Sequence, residues 1–84
     1  GIGKQKQFFK KNLTTEIPEG IFAEYVGKIQ KKYPEVEIGS YPYFKKKSFG
    51  VSLIIKSDNE SSVEKVCNLI YEYLEKKKGN PRLF

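Results

Sequence analysis

The spacing of hydrophobic residues along this chain alternates between two periods. A period near two runs from Phe9 to Ile17, interrupted at Lys11, and predicts a half-exposed strand. Pro18 follows at a position suited to the start of a helix, because its φ is fixed and it has no N–H to leave unpaired. A helical spacing then predicts an amphipathic helix that ends before Pro34. Its apolar positions are Phe22, Tyr25, Val26, Ile29 and Tyr33.

Two further strands are predicted after this helix. Val36 and Ile38 mark a short strand, and Gly39 and Pro42 are expected to end it. An alternating segment follows, and an additional Ile54 on its second face favours a central place in the sheet. The apolar positions of this last strand are Phe49, Val51, Leu53 and Ile55.

The second helix is predicted from both its ends and its spacing. Ser57 and Glu60 have the spacing of a capping box, which predicts the helix start. Three lysines occupy the predicted last turn, where positive charge is favourable, and Gly79 is placed to stop the helix. The apolar positions are Val63, Val66, Cys67, Ile70 and Leu74.

The element order β-α-β-β-α predicts an α+β fold of the ferredoxin-like type. A right-handed crossover from the first strand to the second, followed by a hairpin, places the third strand between them. We therefore expect a three-stranded sheet with both helices on one face. Residues 1–7 are predicted to be a disordered tail and residues 8–78 one domain. Residues 79–84 are either a C-terminal tail or the start of a short fourth strand at the sheet edge.

The composition indicates a basic surface and favours a reducing compartment. The chain has 84 residues and a formal net charge of +6. Its single cysteine, Cys67, cannot form an internal disulfide, which favours the cytoplasm. No stretch has the length of a membrane span, and no signal peptide is visible. Because the sequence contains no methionine, we expect it to be a piece of a longer protein.

The residue types do not favour an enzyme. Histidine, the commonest general base, is absent, and we find no phosphate-binding loop, nucleophile elbow or metal-ligand cluster. Glu35 and Glu37 are the nearest approach to a carboxylate pair, and on an exposed strand such a pair favours solubility. We therefore predict no catalysis by this chain alone, and no cofactor or metal bound to it.

One short stretch is the candidate binding site. Gly39, Ser40, Tyr41 and Pro42 precede a basic run at 45–47. The stretch can have a purely structural role, because the glycine permits an unusual backbone conformation and the proline ends strand pairing. We favour this structural interpretation. As a site, a serine hydroxyl and a backbone amide would bind an anion with the lysines nearby. The lysines are Lys45, Lys46 and Lys47.

Recognition of nucleic acid is a second possibility. The element order resembles that of an RNA recognition motif, which stacks bases on aromatic residues of its sheet. The outward positions of the predicted central strand offer no such platform, since they are Gly50, Ser52, Ile54 and Lys56. The sequence KKGN is not the GxxG clamp of a KH domain. What remains is a module that binds a polyanion without sequence preference.

The stretch YPEVEIGSYPYFKKKSFGVSLIIKS at 33–57 resembles a known family, and so does LTTEIPE at 13–19. The resemblance covers residues 8–75. It is to the small C-terminal segment after the molybdopterin-binding domain of proteins related to competence-damage-inducible proteins, and to the corresponding part of bifunctional FAD synthases. That family's ligand-binding residues belong to the preceding domain, so none is carried over.

This resemblance implies an accessory domain of a molybdopterin-binding or FAD-synthase-like protein. Its expected partners are the preceding cofactor-binding domain of its own chain or further copies of itself. The alternative is the small basic module that binds nucleic acid or another polyanion. We expect no membrane partner.

Overall fold

The computed structural model describes residues 7–83. The tail predicted for residues 1–7 therefore lies outside the described residues, except for Gln7. The elements in chain order are β1 (Phe9–Thr15), α1 (Glu19–Lys32), β2 (Glu37–Lys45), β3 (Ser48–Ser57), α2 (Glu60–Lys76) and β4 (Arg82–Leu83).

The four strands form one sheet in the order β2-β3-β1-β4, with antiparallel neighbours throughout. The predicted ferredoxin-like α+β fold is confirmed, and β3 lies between β1 and β2 as expected. The two-residue strand β4 pairs with Leu13 and Thr14 of β1, so a fourth strand is present at that edge.

The core lies between the two helices and one face of the sheet. The predicted apolar positions supply nearly all of it, because the spacing of hydrophobic residues follows the buried face of each helix and strand. Its buried residues are Leu13, Phe22, Ile29, Val36, Val51, Leu53, Ile55, Val63, Val66, Cys67, Ile70 and Leu74. Between the helices, the rings of Tyr25 and Tyr73 stack at 4.0 Å, and the Tyr25 hydroxyl donates to the Leu69 carbonyl oxygen at 3.4 Å.

The second strand is longer than predicted. Gly39 and Pro42 do not end it, since β2 continues through both of them to Lys45. Pro42 is tolerated because β2 is an edge strand, where a missing N–H need not break the pairing with β3. The prediction that Gly39 and Pro42 end the second strand is therefore wrong.

The start of α2 also differs from the prediction. The N-cap is Asn59, whose side-chain oxygen accepts the Ser62 N–H at 3.1 Å, and Ser57 precedes it. The Ser57 hydroxyl instead donates to the Glu35 carbonyl oxygen at 2.9 Å and accepts the Asn59 N–H at 3.1 Å. Ser57 therefore fastens the loop before β2 to the end of β3, and the capping box is not formed.

The end of α2 is a Schellman turn. The N–H of Gly79 donates a hydrogen bond to the Leu74 carbonyl oxygen at 2.8 Å. The N–H of Lys78 donates to the Glu75 carbonyl oxygen at 3.0 Å. The left-handed residue is Lys78, with a φ of 59°, whereas Gly79 does not have a positive φ. Gly79 thus follows the helix as predicted, but Lys78 makes the left-handed turn.

Candidate functional site

The Gly-Ser-Tyr-Pro stretch lies in the middle of edge strand β2, and its side chains point to opposite faces of the sheet. Ser40 and Pro42 pair with the buried Leu53 and Val51, so they share the face that the helices cover. Gly39 and Tyr41 pair with Ile54 and Ser52 and share the other, open face. The four residues therefore do not form one concave site.

The Ser40 hydroxyl already has a partner on the helix side. It donates a hydrogen bond to a carboxylate oxygen of Glu19, in the first turn of α1. This bond fastens the start of the helix to the edge strand. An anion approaching Ser40 from this side would meet the Glu19 carboxylate, so the hydroxyl is poorly placed to bind a phosphate.

The three predicted lysines lie at the far end of the β2–β3 hairpin. Lys45 is the last residue of β2, and Lys46 and Lys47 form the turn. All three are exposed, and Lys46 has a left-handed φ of 48°. At about 3.4 Å per residue, Lys45 lies about 17 Å along the strand from Ser40. The structure therefore does not bring the lysines and the serine together.

The open face of the sheet carries aromatic residues that sequence reasoning missed. The Tyr41 ring lies over Gly39, where a Cβ atom would be 2.8 Å from the tyrosine oxygen. The Tyr43 ring lies over Gly50 in the same way, at 2.5 Å. Both tyrosines come from β2, whereas the outward positions predicted from the sequence were those of the central strand. The available signal was a glycine beside each tyrosine on the same face, since Gly39 lies two residues before Tyr41 and Gly50 lies opposite Tyr43.

A shallow depression of about 630 Å³ lies beside Tyr41. Lys10, Ile54 and Lys56 contribute to its lining, together with Gly39. Nearby on the same face, the Oδ1 atom of Asn12 is buried and has no hydrogen-bond partner within residues 7–83. This part of the sheet therefore combines cations, an apolar side chain and an unsatisfied acceptor.

The two glutamates of the predicted carboxylate pair have separate partners. Glu37 lies 3.5 Å from the Lys56 Nζ on the open face. Glu35 precedes β2, and its carboxylate accepts the Ser62 hydroxyl at 2.6 Å. That hydrogen bond, reinforced by a backbone N–H, lowers the pKa of Glu35. The geometry therefore gives these residues structural partners rather than a shared reaction centre.

The remaining chemistry is limited within the described part of the chain. Cys67 is a free thiol in the core, and burial raises its pKa against a smaller opposing effect of Lys11. Residues 7–83 contain no group of three or more metal-ligating side chains. None of the helices in this range is long and apolar enough to cross a membrane.

A comparison with models of known protein families finds a match over most of this chain. A family model described as FAD synthase, middle domain, matches residues 7–82. The chain belongs to this family. The FAD-synthase part of the resemblance is thereby confirmed, and the chain is an accessory domain of the FAD-synthase type. The link to molybdopterin-binding proteins stays a prediction.

Of the two other comparisons, one finds no match and one adds only the fold. No curated protein matches this FAD synthase middle domain. Among solved structures, the de novo designed protein Foldit4 is similar, with a TM-score of 0.68 and 12% sequence identity. The match covers 92% of this chain and 89% of the designed one. At that identity the likeness supports the architecture and says nothing about function.

Proposed function

We propose that this chain is a non-catalytic accessory domain that packs, through the open face of its sheet, on a nucleotide- or cofactor-binding domain of an FAD-synthase-like protein. The free cysteine agrees with a cytoplasmic location. The resemblance to molybdopterin-binding proteins favours a domain of that type as the neighbour.

The observation that carries this proposal is the composition of the open face. Tyr41 is 57% exposed and Ile54 is partly exposed beside it, while Lys10 and Lys56 surround them. Interfaces between domains of one chain combine apolar and polar contacts in this manner. A sheet that is covered by helices on one face only also leaves its second face available to a neighbouring domain.

Asn12 also supports the open face as the interface with a neighbouring domain. Its buried Oδ1 atom lacks a hydrogen bond within residues 7–83, and an unsatisfied buried acceptor costs about 1 to 3 kcal/mol. Rotation of the amide toward the open face would let a donor of the neighbouring domain offset this cost.

The test compares lysine acetylation of the 84-residue chain with that of the intact parent protein. Lys10, on the open face, is expected to react several-fold more slowly in the parent, whereas Lys28, exposed on α1, serves as the control. An Ile54→Glu substitution in the parent should restore the reactivity of Lys10. Equal reactivity of Lys10 in both proteins would contradict the proposal.

A second function is favoured by the hairpin. The exposed Lys45, Lys46 and Lys47 concentrate positive charge at one end of the molecule, and the Lys45 Nζ lies 5.6 Å from the centre of the Tyr43 ring. Lysines beside an aromatic ring on an open sheet suit a single-stranded polyanion. We propose weak binding of this kind as the alternative.

Backbone amide NMR with single-stranded RNA tests the alternative. Shifts confined to the hairpin at low salt, which diminish at moderate salt, would support binding through the lysines. The triple substitution Lys45→Ser, Lys46→Ser and Lys47→Ser should abolish them. A spectrum that does not change at low salt would exclude this function and leave the accessory role.

A further inference from the structure

The two lysine runs of the sequence, at 45–47 and 76–78, lie at the same end of the molecule. The first run forms the tip of the β2–β3 hairpin. The second run ends α2 and is followed by Gly79, whose carbonyl oxygen accepts the Thr15 hydroxyl at 2.8 Å. Thr15 pairs with Val51, which lies about 10 Å along β3 from the hairpin tip. The fold therefore brings together two clusters of charge that are far apart in the sequence.

The hairpin projects beyond both helices. The Ser40 hydroxyl bonds Glu19 at the start of α1, and Phe44 lies four residues further along β2, about 14 Å away. Phe44 pairs with Phe49 on the face that the helices cover elsewhere, and the two ring centres are 5.4 Å apart. Because the helices do not reach it, Phe44 is 79% exposed. The helix ends and this aromatic face of the hairpin thus meet in a step. We call it the basic step, and its residues are Phe44, Lys46, Lys47, Lys76, Lys77 and Lys78.

Positive charge dominates the basic step. Its lysines are all exposed. Glu16, Glu19 and Glu75 place carboxylates near it, and the first two accept hydrogen bonds from the Asn80 amide and the Ser40 hydroxyl. Since α1 begins where α2 ends, the partial charges of the two helix ends oppose each other, and the lysines set the sign of the field. The step therefore attracts a polyanion.

The shape of the basic step favours one kind of polyanion. A flat anionic surface such as a bilayer would rest on the hairpin tip and leave the second lysine run about 10 Å away. A double helix would keep its bases paired and stacked, out of reach of Phe44. A single strand is flexible and its bases are unpaired, so its phosphates can follow both lysine runs while a base stacks on the exposed ring.

We propose that the basic step binds single-stranded nucleic acid, with a base stacked on Phe44 and phosphates held by the lysines of both the hairpin and α2. This inference rests on the alternative function above and extends it, because there the hairpin lysines act alone. Lys45 lies outside the step, since its Nζ is beside the Tyr43 ring on the open face. The step occupies the end of the molecule and leaves the open face available to a neighbouring domain.

Fluorescence anisotropy of a labelled oligouridine of about ten nucleotides, titrated with the 84-residue chain at several salt concentrations, tests the proposal. Each lysine that contacts a phosphate of a single strand adds about 0.7 to the slope of log affinity against log salt. Two double variants each remove two such lysines: Lys46→Asn with Lys47→Gln, and Lys77→Gln with Lys78→Asn. Asparagine is used at the two positions with a positive φ. Each variant should lower the slope by about 1.4 and weaken binding at low salt at least about tenfold.

Matched controls separate position from charge and stacking from charge. Lys31→Gln with Lys32→Gln removes the same charge at the far end of α1 and should leave the slope unchanged. Phe44→Ala should weaken binding about tenfold at an unchanged slope, because it removes stacking but no charge. Phe8→Ala should have no effect, since Phe8 is 55% exposed but precedes β1 at the other end of the molecule. Urea denaturation of each variant confirms that it remains folded.

The outcomes distinguish this proposal from the alternative function on which it rests. Binding that depends on Lys46 and Lys47 but not on Lys77 and Lys78 would overturn the proposal and leave the hairpin alternative standing. An absence of binding at low salt would overturn both. Binding that Phe44→Ala does not weaken would refute the stacked base. Tighter binding to phosphatidylserine vesicles than to the RNA, at equal phosphate concentration, would also contradict the proposal, because that preference indicates a membrane surface.

Discussion

The hydroxyl of Thr15 donates a hydrogen bond to the carbonyl oxygen of Gly79 at 2.8 Å. The same carbonyl accepts the Glu16 N–H at 2.9 Å, so it is held by two donors at the end of β1. Thr15 is 1% exposed, and its hydroxyl therefore needs a partner within the protein. These contacts fasten the turn after α2 to the first strand and lead the chain into β4.

Replacement of Gly79 by alanine is expected to destabilise the domain. A Cβ atom there would lie 2.5 Å from the Thr15 Oγ1 and 3.2 Å from the Leu74 carbonyl oxygen. Relief of this crowding requires the buried threonine or the backbone to move. We expect the free energy of unfolding to fall by about 2 kcal/mol, measured by urea denaturation.

Gly20→Ala is the control for this substitution. Its Cβ atom would meet nothing within 4 Å, so stability should stay the same or rise slightly. If Gly79→Ala unfolded at the same urea concentration as the unsubstituted chain, the close packing of Gly79 against Thr15 would be refuted.

Gly79 also illustrates what the sequence could predict. Its place after α2 is predicted from the end of the helical spacing and the three lysines before it, but its physical reason is a close approach to Thr15, a residue 64 positions away. Contacts of that range depend on the packing of whole elements. The buried faces of both helices and β3 were predictable, because hydrophobic spacing reports burial directly.

The candidate site shows what the sequence could not predict. Glycine and proline are local signals of a strand end, but pairing with β3 carries β2 through Gly39 and Pro42. Alternation along β2 puts Ser40 and Tyr41 on opposite faces, and the register with β3 decides which of them faces the helices. Period alone does not give the ladder between two strands. The predicted residues Gly39 to Pro42 therefore lie within β2, in an arrangement that the sequence did not show.

Lys78→Gly is expected to stabilise the domain. Lys78 has a φ of 59° at the position of the Schellman turn where glycine is usual. A side chain in this conformation costs about 1 kcal/mol, which glycine avoids, although its greater freedom in the unfolded chain offsets part of the gain. We expect the free energy of unfolding to rise by about 0.5 kcal/mol. Lys77→Gly is the control, since its φ of −86° is ordinary, and it should lower stability.

The hydrogen bond from Ser62 to Glu35 should make stability depend on pH. The bond lowers the pKa of Glu35 in the folded chain below the ordinary 4.5, so folding favours the ionised carboxylate. Its stabilising effect is therefore present above the unfolded pKa and is lost as pH falls through the folded pKa. Urea denaturation of the unsubstituted chain and Ser62→Ala across the acid range measures this effect.

The difference in unfolding free energy between these two proteins should be constant near neutral pH and shrink below the ordinary pKa of Glu35. Ser61→Ala is the matched control, because Ser61 is the exposed neighbour in the same turn of α2. Its difference from the unsubstituted chain should not change with pH. A Ser62→Ala difference that grew on acidification would contradict the assigned sign.

Cys67 should react with thiol reagents only when the domain opens. The side chain is 2% exposed, and its burial raises the pKa of the thiol, so both access and the reactive thiolate are scarce in the folded state. We expect labelling at pH 8 to be at least about a thousandfold slower in buffer than in denaturing urea, because it requires an unfolding equilibrium. A Ser61→Cys substitution in a Cys67→Ala background supplies an exposed thiol on the same helix. It should react at similar rates with and without urea, and equally fast labelling of Cys67 in the folded chain would show that α2 does not protect it.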